Sequence, residues 1–411
     1  MQKPQLVGYG VDTLILNMRY TDEQYHPIKK ELSEEIAYEL DELQGAARRN
    51  EMAMISPWSF LGVSLFVEPH GAGRQWRWLL TSPLLTLTVS QGTFNDLIAR
   101  VRFSSEFLWT EAWTGDALSK VHAFLISIFG EHIHLQVSEV HLCADLVGFD
   151  FSQVNYEAHF VTRVRKNDSI YSMGVDGVSL DAHRVSTLRF SSHGSPLSCS
   201  IYNKTLEIKQ KSGKTWFYDL WRKGVQGLHG GAWDSESDVW RVEFRFRREF
   251  LRNLKTPIED AYDLLHHFQP LWEYAAGCIA GGDNGLPDGW LRYVLPSEED
   301  TNRSRWPVHP AWVVVQSAFA ESADLGLGPV VRQRIREKNL ERGIAATIGY
   351  ISTLAAWLGG EYVYQDADVS LMLHWLSEAG PDYLESKQRD FIQEVRKKQK
   401  RYGSEEMEAI S

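Results

Sequence analysis

The stretch VWRVEFRFR, residues 239–247, alternates from Trp240 on with no break. Trp240, Val242, Phe244 and Phe246 fall on one side of an extended chain, and Arg241, Glu243, Arg245 and Arg247 on the other. A period of two fits a strand with one buried face. The apolar side needs a partner layer, so the chain must fold into a sheet covered on at least one face. Two further stretches repeat the pattern. In LSCSIYNK, Leu197, Cys199 and Ile201 oppose Ser198, Ser200, Tyr202 and Lys204. In EVHLCAD, Val140, Leu142 and Ala144 oppose Glu139, His141, Cys143 and Asp145.

Shorter strand-like runs surround these: VDTLILNMRY, SFLGVSLFVEP, QWRWLLTS, LLTLTVSQG and STLRFSS. HIHLQVSEVHLCADLVGFDF reads as a strand pair or one long strand. Helical spacing of Leu32, Ile36, Leu40 and Leu43 predicts a helical insertion over residues 21–52. A second helix is expected over 115–129, with Asp116 as its N-cap. After Lys255 the strand signal stops. TPIEDAYDLLHHFQPLWEYAAGCIA predicts a helix capped by Thr256, and GIAATIGYISTLAAWLGG a buried one. The expected fold is α+β: an antiparallel-sheet domain at 1–255, then a mostly helical region at 256–411.

Composition narrows the setting. Three scattered cysteines (Cys143, Cys199 and Cys278) make neither a disulfide framework nor a paired metal motif, so a reducing cytoplasm is expected. The first residues lack a signal-peptide pattern, and no stretch reads as a membrane span. Net charge is −11, yet residues 161–255 hold 17 Lys and Arg against 10 Asp and Glu. A basic middle in an acidic chain suits one localised anion-binding face or, equally, ordinary solvated charge.

If the three polar strand faces share a sheet, one site gathers Asp145, Glu243 and His141 as ligands for Mg²⁺ or Mn²⁺, with the Tyr202 phenol aimed at them. Lys204 is placed to favour the phenolate as nucleophile. Arg189, Lys209, Lys211, Lys214, Arg241 and Arg245 are candidate contacts to a DNA backbone. Each residue also has a plainer reading: an ion-paired strand for Arg241 to Arg247, a packed phenol for Tyr202, a turn-capping carboxylate for Asp145. Tyr171 and Tyr218 are rival phenols. His132 and His134 form an alternative metal pair, and Trp216 and Trp221 are candidates for stacking on unpaired bases.

Taken in order, GVDTLILN, EVHLCAD, SIYNKTLEI and VWRVEFRFRREFL resemble the replication initiation factor family over roughly residues 9–255. That family comprises rolling-circle initiators of plasmids and phages and related relaxases of conjugative elements. The resemblance implies a nicking-enzyme-like domain that cuts single-stranded or hairpin origin DNA, retains a 5′-phosphotyrosyl link and uses a divalent metal. It implies Tyr202 as nucleophile, Asp145 as metal ligand and Glu243 as the acid of the later strand. A host helicase or polymerase and a second copy of the chain are further candidate partners, with the helical region after residue 255 as a candidate contact for the helicase or the second copy. The chain departs from the pattern at His141, Asn203 and Glu139, which leaves room for a DNA-binding regulator that has lost the metal acids.

Overall fold

The computed structural model describes residues 3–21, 32–91, 96–111, 113–163, 175–181, 184–192, 194–278, 289–320, 340–363 and 368–395. Thirteen strands occur among them. They are β1 (Gln5–Tyr20), β2 (Met54–Phe60), β3 (Val63–Val67), β4 (Trp78–Thr81), β5 (Leu85–Val89), β6 (Ala99–Phe103) and β7 (Ile133–Val147). Then follow β8 (Phe160–Thr162), β9 (Val175–Asp181), β10 (Arg184–Phe190), β11 (Leu197–Asn203), β12 (Trp240–Arg247) and β13 (Leu291–Tyr293). Eleven form one sheet in the order β2-β3-β4-β5-β6-β1-β7-β12-β11-β10-β9, while β8 and β13 pair separately. Every neighbouring pair in the large sheet is antiparallel. The fold is α+β, as the alternation implies. The ambiguous histidine-rich stretch is one strand, β7, of 15 residues.

Alternation correctly identified the interior face of the central strands. Val242, Phe244 and Phe246 of β12, Ile201 of β11 and Val140, Leu142 and Ala144 of β7 are wholly buried. Helix 268–276 meets this layer, with Trp272 edge-on to Phe244 at 5.3 Å between ring centroids. Trp312 of helix 310–316 donates from Nε1 to the Ala276 carbonyl at 3.0 Å. These contacts carry the compact unit past residue 255: it spans 1–332, and residues 333–411 form a second unit. Taken by itself, the second unit contains helices 340–358 and 369–386. The first of these leaves Ile344, Tyr350 and Trp357 exposed, so it is not the buried helix expected from its composition.

Two helix starts also differ from expectation. Thr114, not Asp116, caps helix 115–129, its side chain accepting from the Ala117 amide. Thr256 caps nothing, because residues 256–260 run beside β7, where the Glu259 carbonyl accepts from the Val137 amide. Asp260 caps the short helix 261–265 instead. No described helix is long and apolar enough to cross a membrane.

At the end of helix 216–223, geometry dictates a glycine. Gly224 ends helix 216–223 at φ 70° and ψ −171°, a region other residues scarcely enter. A Cβ there would lie 2.2 Å from the Gly231 carbonyl oxygen. Gly224→Ala is therefore expected to lower unfolding stability by at least about 2 kcal/mol, measured as a reduced denaturant midpoint.

Candidate active site

The register of β11, β12, β7 and β1 sets the site in three rungs. Tyr202, Arg241, Asp145 and Gly8 face one another across the first, and Ser200, Glu243, Cys143 and Gly10 across the second. Ser198, Arg245, His141 and Thr13 make the third. The polar faces expected from the sequence thus do lie side by side. Arg241, however, stands between Tyr202 and Asp145, and this divides the side chains into two networks.

The first network is a buried ion pair. Arg241 donates from Nε and Nη2 to the two oxygens of Asp145, at 2.6 and 2.8 Å, and from Nη1 to Asp12 at 2.5 Å. Asp145 also accepts from Trp221 Nε1 at 2.9 Å. Both Arg241 and Asp145 are fully buried. The guanidinium packs against two aromatic rings that touch each other, 4.6 Å from the Phe217 centroid and 5.4 Å from that of Trp109. Two expectations are corrected here. Arg241 has no surface to offer a DNA phosphate, and Asp145 has its two oxygens committed to Arg241 and Trp221.

The second network is a chain of alternating charge. The Tyr202 hydroxyl donates to Glu243 Oε2 at 2.8 Å, and His141 Nδ1 lies 2.7 Å from the other Glu243 oxygen. His141 Nε2 faces Glu139 at 2.9 Å, and Glu139 in turn accepts from Arg245 at 2.8 Å and Arg247 at 3.3 Å. Burial disfavours a charged imidazole, but the flanking carboxylates outweigh it and raise the His141 pKa to about 9. Burial also opposes charge on Glu139 and Glu243. The ionic and hydrogen-bonded partners again prevail, lowering both to about 2. The Tyr202 phenol is pushed well above its usual value, by burial first and then by the Glu243 charge. At neutral pH the chain therefore reads phenol, carboxylate, imidazolium, carboxylate, guanidinium.

The residues proposed for a metal do not fit one as they are arranged. Both Glu243 oxygens accept hydrogen bonds, both Asp145 oxygens are engaged by Arg241 and Trp221, and both ring nitrogens of His141 face carboxylates, so none of the three is turned toward a shared ion position. Among the described residues no group of three or more His, Cys, Asp or Glu side chains is disposed to hold a metal ion. The alternative pair is no nearer. His134 meets Asp260 at 3.2 Å, seven residues or roughly 24 Å along β7 from His141. His132 precedes the strand.

Lys204 is displaced from its expected role because β11 stops at Asn203. Asn203 caps helix 204–207, its side chain accepting from the Leu206 amide at 2.8 Å. An amide at this position is thus accounted for by capping. Lys204, nearly buried, pairs with Glu207 at 2.7 Å and lies 5.7 Å from the Tyr202 ring centroid. Arg245 is tied to Glu139. Arg189, Lys209 and Lys211 are exposed, whereas Lys214 is half-buried and donates to Ser105 at 2.5 Å. Tyr218 packs on Trp221 and Trp233. Tyr171 lies outside the described residues. Trp221 is a wholly buried strut, which removes it as a base-stacking platform, while Trp216 is half-exposed and stacks on Phe217 at 3.8 Å.

Sequence reasoning assigns no role to Asp12, Trp109 or Phe217, three residues that contact Arg241. Asp12 alone carried a signal, as the acid within GVDTLILN.

Compared with known proteins, the chain matches no family model and no curated protein. Among solved structures it is similar to a rolling circle replication initiator protein from Geobacillus stearothermophilus. The identity is 13% and the TM-score 0.41, with 79% of this chain and 100% of that chain covered.

Proposed function

We propose that this chain is a replication initiator that breaks and rejoins single-stranded or melted origin DNA, with Tyr202 as the nucleophile. The observation that carries the reading is the 2.8 Å hydrogen bond from the Tyr202 hydroxyl to Glu243, made across adjacent strands. The order of the motifs around both residues supports it. In the step envisaged, the phenolic oxygen attacks the scissile phosphorus and forms an O–P bond. The bond from phosphorus to the 3′-oxygen breaks, the phenol proton passes to Glu243, and the departing 3′-oxygen takes a proton from water. Attack by the 3′-hydroxyl on the phosphotyrosine reverses the exchange. His141 holds Glu243 ionised and oriented, at the expense of its basicity. Transfer is therefore uphill in the resting protein, and the phenol stays neutral until DNA is bound. Opening a strand for conjugative transfer would use the same chemistry.

A second reading is a DNA-binding regulator without nicking activity. The closed Asp145–Arg241 pair and the neutral, part-buried phenol, its pKa raised, favour it.

Labelled single-stranded oligonucleotides spanning the origin, incubated with and without Mn²⁺, separate the two. Nicking predicts a covalent protein–DNA adduct that Tyr202→Phe lowers by more than about a thousandfold. An adduct surviving in Tyr202→Phe and lost in Tyr218→Phe would move the nucleophile. Specific binding with no adduct under either condition would establish the regulator instead.

A further inference from the structure

A cavity of about 390 Å³ opens one layer outside the Arg241 cluster. Its wall has an apolar part, Leu85 and Phe103, and a polar part, Arg102, Ser105 and Lys214, with Trp216 beside them. Two contacts join it to the network. Asp12 lines the cavity and accepts from Arg241, and Trp216 stacks on Phe217, the ring beneath that guanidinium.

We infer that this cavity seats one unpaired nucleotide of the DNA strand, its base on Trp216 and its phosphate between Lys214 and Arg102. The inference rests on the reading that single-stranded DNA is the substrate, and extends it by naming where one nucleotide is held. The volume is within the range of small-ligand sites, roughly 300–1,000 Å³. A half-exposed indole backed by a second ring offers a rigid face to any base. Lys214 is anchored by a hydroxyl, Ser105, rather than a carboxylate, so its charge is not spent within the wall. Burial lowers its affinity for a proton, the sign of an ammonium partly stripped of water that an incoming phosphate would stabilise. Two acids also line the site. Asp12 shares Arg241 with Asp145, and Glu106 is exposed like Arg102, so the formal charges of the lining balance and its cationic part is Lys214 and Arg102.

The test uses the full-length protein and an oligothymidylate carrying one central 2-aminopurine, whose emission falls when it stacks. Binding is expected to quench the probe. Trp216→Ala should raise Kd about 5- to 150-fold and restore emission, while Trp216→Phe keeps most of both. Lys214→Gln should raise Kd and flatten its dependence on salt. Quenching that persists in Trp216→Ala, or a Kd within twofold of the starting value in both Trp216→Ala and Lys214→Gln, overturns the assignment. If circular dichroism shows Trp216→Ala to be unfolded, Lys214→Gln and Trp216→Phe decide by the same criteria. The outcomes separate cleanly: quenching of this probe with no covalent adduct on the origin oligonucleotides refutes nicking and keeps the nucleotide site, and an adduct on them without quenching here does the reverse.

Discussion

Arg241→Ala is expected to destabilise the fold by about 3–5 kcal/mol, the cost of leaving a buried charge without its partner. Asp145 would lose both of its guanidinium hydrogen bonds in a place where water does not reach it. Asp12 would lose its ion pair, and the rings of Phe217 and Trp109 would face a void. Urea unfolding at neutral pH measures the loss directly. A double replacement, Arg241→Met with Asp145→Leu, should recover part of it, because two apolar side chains have no unpaired charge to desolvate. Recovery stays incomplete, since the Trp221 indole N–H then loses its acceptor. The same measurement tests the corrected role of this arginine. A phosphate contact would leave stability alone and lower the salt dependence of DNA binding by about one unit of slope. A stable Arg241→Ala protein with weakened DNA binding would restore the reading made from the sequence.

That correction shows where the sequence stops being informative. Alternation states which residues share a face, and it placed Phe244, Val242 and Ile201 inside and Tyr202 and Glu243 together. It does not state register, and a shift along the strand changes every cross-strand partner. Only the observed pairing puts Arg241 directly between Tyr202 and Asp145. The roof was hidden for a different reason. Trp109 and Trp221 come from helices distant in sequence from the strands they cover, and an indole gives no hint of the carboxylate its N–H will find. The end of β11 was more readable than the expectation allowed. Asn203 followed by KTLE is a helix-capping arrangement, and it ends the alternation one residue before Lys204. The early boundary at residue 255 had a similar origin, since helical spacing does not reveal that Trp272 and Trp312 pack into the sheet's own core.

His141 should make stability fall at alkaline pH in a way its replacement removes. Its pKa is about 9 in the fold and 6.5 without it, so the folded state holds the proton more tightly. Such a group contributes its full stabilisation below about pH 6.5 and loses it as pH rises through 9. The difference of some 2.5 pH units corresponds to about 3 kcal/mol. Glu139 and Glu243 have the opposite sign. Their pKa values, lowered to about 2, add stability above their usual range near 4.5 that disappears in acid. The three together predict a plateau between about pH 4.5 and 6.5 with a decline on either side. In His141→Gln the alkaline decline between pH 6.5 and 9.5 should shrink by about 3 kcal/mol, read from unfolding midpoints at several pH values. Equal alkaline slopes in the two proteins would mean that the ring is neutral in the fold. Glu243 would then lack a cation at its Oε1, and a metal ion would again have an acid and an imidazole lone pair to bind.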